Sequence, residues 1–445
     1  MLYPDEPSSD SLFYRKSHHR LRAWLRSFLE ADIFPYTQKW EDEGKVPKEA
    51  YDRMAQKGLL FPFVPRKYRN GANLPIGIDD DEWDLFHSMV INEELARAPA
   101  NGPIWALTSG NNIGCPPIRD FGSEEQRMEY LPRVYKGEIS FCLAITEPGA
   151  GSDVANISTT ALVDSADASY LVVNGRKKWI TNGLFADYAT TLVRTSDSKD
   201  TSSLSLLIVP LKTSSDSRPA GLTIRWIPVS GLKSSGTALI VFKDVRVPRK
   251  NIIGKVGTGF SMVMRNFNPE RLALSSTAIV LARTCLSDSL SHAMRRETFG
   301  KALIENQVIR AKIAGMVRTL ESARAWYESI VWEIEQFATR AAGPNGKDYP
   351  AAFADSQIAY RIALLKVQAG RALELLVREA QQIFGGAGTT REGVGAVVEQ
   401  ISRDMRVWVV GGGSEEILDD LGVRLMLASM HRNSETTMKN GKAKL

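Results

Sequence analysis

The stretch TEPGAGSD, residues 146–153, stands at the entry to a segment whose pattern differs from the rest of the chain. Between about 140 and 250, short runs of Val, Ile, Thr and Ser alternate with turn residues, which predicts β-strands. On both sides of this segment apolar residues recur at helical spacing, as in RLRAWLRSFLEA at 20–31 and in the long runs after residue 254. The chain is therefore predicted to be helical, then β, then helical.

This order predicts an α+β protein without internal repeats. We expect an N-terminal helical domain at 1–140, a middle antiparallel β domain of the barrel or sandwich type at 141–253, a C-terminal helical domain at 254–432 and a flexible tail at 433–445. Residues 169–182 are predicted to form two strands joined at Asn174-Gly175, because Asn-Gly favours hairpin turns. Further strands are predicted at 157–162, 189–194, 204–211, 222–228 and 238–242.

The composition argues against several classes of protein. The net charge is only +5 over 445 residues, with basic and acidic residues interleaved, so we expect no nucleic-acid partner. The 3 cysteines fit neither a zinc site nor a CxxC pair, which predicts a reducing compartment, and the 5 histidines form no HExxH-type cluster, so we expect no metal. No run of about 18 apolar residues and no secretory signal are found, so we expect no membrane association.

The chain ends in Ala443-Lys444-Leu445, a close variant of the Ser-Lys-Leu signal for import into peroxisomes. The residues before it are polar, which suits a tail that a receptor must bind. A chance match is the alternative, because a small residue, a basic residue and Leu are all common. We expect a peroxisomal protein, and otherwise a cytoplasmic one.

Two stretches of the β segment are suited to binding a flat ring or a phosphate. In TEPGAGSD, Pro and two glycines predict a tight turn with exposed backbone N–H groups, beside the polar side chains of Thr146, Ser152 and Asp153. In KWITNG, Trp179 and Thr181 would share one face of a strand, where they could stack on a ring and hydrogen-bond to it. A plain turn and a core tryptophan are the alternatives.

The sequence NPER at 268–271 has the residues of a helix start, with Asn as N-cap, Pro at the first position and an acid in the first turn. Glu270 is therefore either a first-turn acid or a rigidly held carboxylate base. Arg271 either binds an anionic ligand or pairs with an acid. A first-turn position would stabilise the Glu270 anion and thereby weaken it as a base.

Three glycine-containing stretches in the last third of the chain allow more than one interpretation. RETFG at 296–300, followed by Gln307, and QIFGGAG at 382–388 are ordinary helix ends when taken alone. The glycines at 411–413 could hold a phosphate, end a helix, or mark a place where a side chain would be in the way. The GxGxxG fingerprint of dinucleotide-binding domains is absent, which together with the α–β–α order excludes a Rossmann domain.

In this order, TEPGAGSD, WITNG, NPER, RETFG and QIFGGAG resemble the acyl-CoA dehydrogenase family over about residues 20 to 425. The resemblance implies a C-terminal four-helix bundle, an acyl-CoA substrate, and FAD bound between the β domain and the bundle. It also implies a homo-oligomer, a tetramer or a dimer, in which the adenosine half of FAD reaches a neighbouring subunit.

The resemblance also implies residue roles. The cofactor-binding residues would be Ala144, Thr146, Gly151, Ser152, Trp179, Ile180, Thr181, Arg296, Phe299, Gln307, Gln382, Gly385, Gly386, Ser414 and Glu416. The flavin ring would contact Thr146, the backbone around Ala144, Trp179 and Thr181. The pyrophosphate and adenosine would be held by Arg296, Phe299, Gln307 and the turn at 382–386. The substrate would contact Ser152, Asn268 and Arg271.

In this family a carboxylate removes the α-proton of the thioester while the β-hydride passes to flavin N5. Most members carry the carboxylate in a Glu-Gly-Thr run, and the matching position here is Gly412. A minority, similar to isovaleryl- and long-chain-type enzymes, carry it as the Glu before Arg, which here is Glu270. The resemblance therefore predicts Glu270 as the catalytic base, with the backbone N–H of Gly412 binding the thioester oxygen. Burial against the bound acyl chain is expected to raise the pKa of Glu270 and so to counter the effect of the helix dipole.

The predicted activity is α,β-dehydrogenation of an acyl-CoA, with an electron-acceptor flavoprotein or O₂ as the oxidant. A peroxisomal location favours an acyl-CoA oxidase, although the additional C-terminal helical domain usual in those enzymes is not found here. A flavin oxidase or hydroxylase acting on a non-CoA substrate and a DNA-associated flavoprotein are further alternatives.

Overall fold

The computed structural model describes residues 11–62, 64–213, 217–342 and 347–442, with side chains up to residue 431. The chain divides into two compact units. The first comprises the described parts of Met1–Arg26, Asp84–Arg97 and Phe267–Leu445, and the second comprises Ser27–Trp83 and Ala98–Asn266. None of the described helices combines the length and the hydropathy that crossing a membrane requires.

Helices dominate the first and last thirds of the chain. They are α1 (Lys16–Asp32), α2 (Phe34–Glu43), α3 (Lys48–Gln56), α4 (Leu85–Ala96), α5 (Asn101–Gly114), α6 (Pro116–Phe121), α7 (Glu124–Tyr135), α8 (Gly259–Arg295), α9 (Gln307–Ala342), α10 (Tyr349–Ala354), α11 (Ser356–Phe384), α12 (Ala396–Val410) and α13 (Glu415–Lys442). In the first unit, α11 packs against α9, α12 and α13 and buries a stripe of aliphatic side chains such as Ile362, Leu373 and Leu376.

The middle of the chain forms the strands of the second unit. They are β1 (Phe141–Ala144), β2 (Thr160–Val163), β3 (Tyr170–Ile180), β4 (Tyr188–Arg194), β5 (Leu204–Pro210), β6 (Leu222–Trp226), β7 (Ala238–Pro248) and β8 (Ile252–Ile253). They pair in the order β6-β7-β3-β2-β4-β5-β8, with β1 on β4. The β1–β4 and β2–β4 pairs are parallel, which the sequence did not predict, and the other pairs are antiparallel. Two short strands of the first unit, β9 (Glu297–Thr298) and β10 (Lys301–Ala302), form a hairpin.

The predicted turn at Asn174-Gly175 is wrong, because β3 continues through it as a single strand. The register with β7 shifts between Val173 and Gly175, so the dipeptide marks a bulge instead. Gly175 has φ 145°, and a Cβ there would lie 2.5 Å from Thr159 Oγ1. The glycine is therefore required by a close contact with the neighbouring chain segment and not by a hairpin.

The predicted helix start at NPER is also wrong. Helix α8 begins at Gly259 and runs through Pro269, so Glu270 is an interior residue of the helix. The two turns before the proline are held because Met262 and Val263 are buried and Asn266 Nδ2 donates a hydrogen bond to Ile113 O. Since the helix dipole acts within about the first turn, it does not stabilise the Glu270 anion.

Candidate active site

The carboxyl group of Glu270 is the first element of the candidate site. The residue as a whole is half-buried, but its Oε2 is buried and has no hydrogen-bond partner among the described residues. Burial raises the pKa of this carboxyl to about 7, against the opposing effect of the Arg271 guanidinium. A carboxylate that no hydrogen bond stabilises and that titrates near neutrality has the properties of a general base.

The second element is the glycine loop, residues 411–413, between α12 and α13. Arg271, which is buried, donates from Nε to Gly412 O at 2.9 Å and from Nη1 to Asn268 Oδ1 at 3.0 Å. Asn268 Nδ2 in turn donates to Phe353 O at 2.8 Å. Arg271 therefore binds the loop and not an acid, and Asn268 serves internal hydrogen bonds. The N–H of Gly412 has no acceptor in the described part of the chain.

Gly412 has a conformational reason to be glycine. Its φ is 71°, in the left-handed region, and a Cβ there would lie 2.9 Å from Leu274 Cδ1. A side chain at this position would be strained and crowded. The loop therefore offers the backbone N–H of Gly412 next to Arg271. Most members of the family that this chain resembles carry a Glu at this position, and here there is no side chain.

In the second unit, the TEPGAGSD turn is built on a buried ion pair. Glu147 Oε1 accepts from Lys177 Nζ at 2.9 Å and from Thr159 N–H at 2.9 Å, and its Oε2 accepts from the N–H and the hydroxyl of Ser158, each at 2.7 Å. Lys177 Nζ also donates to Ile145 O at 2.8 Å. These bonds fix the turn while leaving its far side free. Ala144 is buried, Thr146 is half-buried, and Gly151 and Ser152 are exposed.

Trp179 and Thr181 do not lie on one strand face as predicted. A second register shift in β3 falls between Lys177 and Ile180, and it places Trp179 at φ 59°, a conformation rare for an aromatic residue. The indole is 51% exposed, so it is not the core tryptophan of the alternative interpretation. Thr181 lies in the turn after the strand, where its Oγ1 accepts a hydrogen bond from Trp105 Nε1 at 3.3 Å, and Ile180 is buried.

The remaining predicted cofactor residues lie at the ends of helices in the first unit. His292 near the end of α8 stacks on Phe384 at the end of α11, with ring centroids 4.4 Å apart, which brings the two helix ends together. At these ends, and at the start of α9, the exposed residues are Arg296, Phe299, Gln307, Gln382, Gly385 and Gly386. Phe299 is 99% exposed at the tip of the β9–β10 hairpin. Ser414 and the exposed Glu416 flank the start of α13.

One buried group in the described part of the chain has the composition of a metal site, namely His18, Asp84 and His87. Asp84 Oδ1 lies 2.9 Å from His18 Nε2 and 2.8 Å from His87 Nδ1. His18 Nδ1 accepts from the N–H of Arg15 at 2.8 Å, so a neutral His18 carries its proton on Nε2 and donates it to the group. Asp84 is also the N-cap of α4: its Oδ1 accepts from the N–H of His87, and its own N–H donates to His87 Nδ1.

Sequence models of three domains of one family match the chain in order. The acyl-CoA dehydrogenase N-terminal domain matches residues 15–138, the middle domain 142–245 and the C-terminal domain 257–427. The chain is 41% identical to acyl-CoA dehydrogenase AFT10-1 of Alternaria alternata over 92% of its own length and 91% of that protein. It is 36% identical to acyl-CoA dehydrogenase apdG of Emericella nidulans, over 98% and 96%.

Solved structures agree with this assignment. An acyl-CoA dehydrogenase from Bacillus anthracis complexed with FAD matches with a TM-score of 0.82 and 26% identity, covering 95% of this chain and 68% of that one. The chain belongs to the acyl-CoA dehydrogenase family. The predicted family, the fold of helical, β and helical domains, and an oxidoreductase that uses FAD are thereby confirmed.

The sequence did not predict two features that hold the loops of the candidate site, namely the Glu147–Lys177 ion pair and the buried Lys366. Glu147 lies inside TEPGAGSD, where the sequence pattern points only to Thr146, Ser152 and Asp153, and its partner Lys177 stands directly before KWITNG. Lys366 on α11 is 2% exposed and donates from Nζ to Gly413 O at 2.9 Å and to Val409 O. A signal was present in the sequence, because Lys366 interrupts the apolar stripe of an otherwise amphipathic helix.

Proposed function

We propose that this chain oxidises the Cα–Cβ bond of an acyl-CoA thioester, with Glu270 as the base that removes the α-proton. The observation that carries this proposal is the Glu270 carboxyl, which is buried at Oε2, has no hydrogen-bond partner among the described residues and has its pKa raised by burial to about 7. At neutral pH a substantial fraction is ionised, and the anion is a stronger base than an ordinary surface carboxylate.

The α-proton of a thioester becomes acidic enough only if the carbonyl oxygen is stabilised as it gains negative charge. In our proposal the N–H of Gly412 donates to this oxygen. Two observations support this role: the N–H has no acceptor in the described part of the chain, and Gly412 O is held by Arg271. Glu270 and Gly412 thus have separate tasks, one for the proton and one for the oxygen.

The exposed backbone at Gly385 and Gly386 and the exposed indole of Trp179 suit the binding of FAD. Gly385 and Gly386 have no atom within 4 Å of where a Cβ would be, so a large group can approach their backbone. Trp179 presents an exposed indole from a strained bulge, a feature expected where a flat ring is covered. Bound FAD supplies the acceptor for the hydride that leaves Cβ. We propose that Thr146, Trp179 and Thr181 contact the flavin ring.

Anaerobic mixing of the yellow protein with a panel of acyl-CoA thioesters tests the base assignment. With the best substrate we expect Glu270→Gln to slow flavin bleaching by at least about a hundredfold while leaving the flavin spectrum and thioester binding unchanged. Glu129→Gln, which neutralises an exposed acid on α7, serves as the control and should match the parent. Bleaching of Glu270→Gln at the parental rate would show that another group is the base.

The electron acceptor and the location of the protein are also proposals. We propose a peroxisomal enzyme, because of Ala443-Lys444-Leu445, which lie outside the described residues. That location favours O₂ as oxidant over an acceptor flavoprotein. Admission of air to the substrate-reduced protein should then produce hydrogen peroxide at the turnover rate, and an air-stable reduced flavin would indicate a dehydrogenase. Deletion of the last three residues should abolish import of a fluorescent fusion.

We further propose that the chain forms a homo-oligomer, a tetramer or a dimer. The support is Phe299, an aromatic side chain that is almost fully exposed next to residues predicted to hold adenosine. Light scattering on the purified flavoprotein measures the mass directly, and a monomer would contradict this part of the proposal.

A further inference from the structure

Lys366 is a buried cation whose surroundings require an explanation. Its side chain is 2% exposed in the middle of α11, and no ion pair joins it to a carboxylate among the residues described. Burying a charge without a counter-ion is strongly unfavourable unless hydrogen bonds compensate it. Here the compensation comes from two backbone carbonyls, Val409 O and Gly413 O, the second at 2.9 Å.

The two carbonyls flank Gly412, one just before the glycine loop and the other at its end. Val409 is in the last turn of α12, and Gly413 is the last of the three glycines. Arg271 holds the carbonyl between them, that of Gly412, from helix α8. The loop is thus bound by two cationic side chains that come from two different helices.

The hydrogen bonds from Arg271 and Lys366 restrict the backbone of a run of three glycines. Glycine loses more backbone freedom on ordering than any other residue, so an unrestrained Gly-Gly-Gly loop would sample many orientations of its peptide groups. The N–H of Gly412 lies between peptide groups whose carbonyls are fixed, and it is the N–H that has no acceptor in the described structure. Fixing the carbonyls therefore also fixes the direction of this N–H.

Lys366 and Arg271 both place a positive charge beside the loop. The pKa of Lys366 is lowered to about 8, mainly by burial and to a smaller extent by repulsion from Arg271. Glu415 and Glu374 act in the opposite direction. Lys366 therefore remains mostly protonated at neutral pH. Two buried positive charges beside the loop favour negative charge on any oxygen bound to the Gly412 N–H.

We propose that Lys366 is a positioning residue for the reaction: it holds the glycine loop through Val409 and Gly413 so that the Gly412 N–H meets the thioester oxygen, and its charge stabilises the enolate-like form of the bound thioester. This inference rests on the proposed function. Lys366 itself exchanges no proton with the substrate and touches no reacting atom.

A 3-oxoacyl-CoA tests this role, because its enolate gives a long-wavelength charge-transfer band with oxidised flavin. The pH dependence of this band measures the apparent pKa of the bound analogue in the parent and in Lys366→Met. We expect Lys366→Met to raise this pKa by about one unit or more, which is a tenfold loss of enolate stabilisation. We also expect kcat to fall at least about tenfold with less than about threefold change in KM.

Lys312→Met is the matched control. Lys312 pairs with Glu379, which also lies on α11, but 13 residues beyond Lys366 and so roughly 20 Å along the helix. This variant removes a cation from the same bundle and should leave the analogue pKa unchanged. Lys366→Arg, which keeps the charge and the donors, should fall between Lys366→Met and the parent.

The outcomes separate the two proposals. If Lys366→Met, or Lys366→Gln should the Met variant not fold, has the parental analogue pKa and kcat, Lys366 is only structural and the inference fails. If these variants lose thermal stability without a change in analogue pKa, the inference fails as well. If the parent itself is not bleached by any acyl-CoA, the proposed function fails.

Discussion

Glu270 follows a proline in the interior of α8, and both its position and its burial bear on its acidity. In the first turn of a helix the dipole would lower the pKa of a carboxyl, but eleven residues precede Glu270 in this helix. Burial therefore acts almost alone, opposed by Arg271, and raises the pKa to about 7. A helix interior also fixes the carboxyl more firmly than a fraying end would.

This pKa predicts the pH dependence of catalysis. In the proposed reaction Glu270 acts in its ionised form, so kcat/KM should rise with pH and reach a plateau above about pH 7. A series of initial rates between pH 5 and 9 with one acyl-CoA measures the profile. A profile that is already flat at pH 5 would mean that the titrating carboxyl has an ordinary pKa and is not buried as described.

The same shift predicts an effect on stability. Below the ordinary value of 4.5 the carboxyl is protonated in both the folded and the unfolded chain, whereas above about 7 the folded protein carries a buried anion. Ionised Glu270 therefore costs about 3 kcal/mol at pH 8 and almost nothing at pH 4. Thermal melts should show Glu270→Gln to be more stable than the parent at pH 8 and equal to it near pH 4. A variant that is equally stable at both pH values would contradict the buried anion.

Gly412 should not tolerate even alanine. With φ at 71° and Leu274 Cδ1 at 2.9 Å from the added Cβ, we expect Gly412→Ala to cost about 1–3 kcal/mol and to reduce turnover. Gly315→Ala on α9 is the control, since no atom lies within 4 Å of its added Cβ, and it should leave stability unchanged or raise it slightly. Denaturant titrations compare the two.

At the level of elements, the turn between β1 and β2 depends on one ion pair. Burial alone would raise the pKa of Glu147, but Lys177 and the hydrogen bonds from Thr159 and Ser158 lower it to about 2. The stability that this carboxylate contributes is present above its ordinary value of 4.5 and is lost as the pH falls towards 2. The exposed face of the turn is thus held by charges beneath it.

Lys177→Met replaces one long side chain by another, yet it should strongly destabilise the folded protein. It leaves Glu147 buried and unpaired, which costs about 3–5 kcal/mol, and it should release the flavin. The double variant Lys177→Met, Glu147→Gln removes both charges and should recover part of the loss. Flavin content after gel filtration, together with thermal melting, measures both effects. Equal losses in the single and double variants would show that the pair is not coupled.

For the whole molecule, FAD should act as a structural ligand as well as a reactant. A ligand that binds only the folded protein stabilises it by about 2.7 kcal/mol at a hundred times its dissociation constant. We expect the flavin-free protein to melt at a lower temperature, and added FAD to restore the melting temperature in a concentration-dependent way. Riboflavin, which lacks the pyrophosphate and adenosine, is the control. An unchanged melting temperature on FAD removal would contradict this role.

The roles of Glu270 and Gly412 stay predictions, whereas the sequence alone was sufficient for the family and for the order of the helical and β domains, because these depend on local patterns and on short motifs in a fixed order. The errors were local as well. Asn-Gly and Asn-Pro-Glu are typical of a hairpin and of a helix start, yet packing against Thr159 and the burial of Met262 override both preferences.

Only the tertiary structure decided what gives these residues their chemistry. Arg271 and Gly412, whose hydrogen bond holds the loop, are 141 positions apart in the chain, and Lys366 reaches the same loop from a third segment. The raised pKa of Glu270 likewise comes from loss of solvent around its carboxyl group in the folded chain. A sequence pattern reports the periodicity of neighbouring residues, whereas desolvation and long-range hydrogen bonds exist only once the chain has folded.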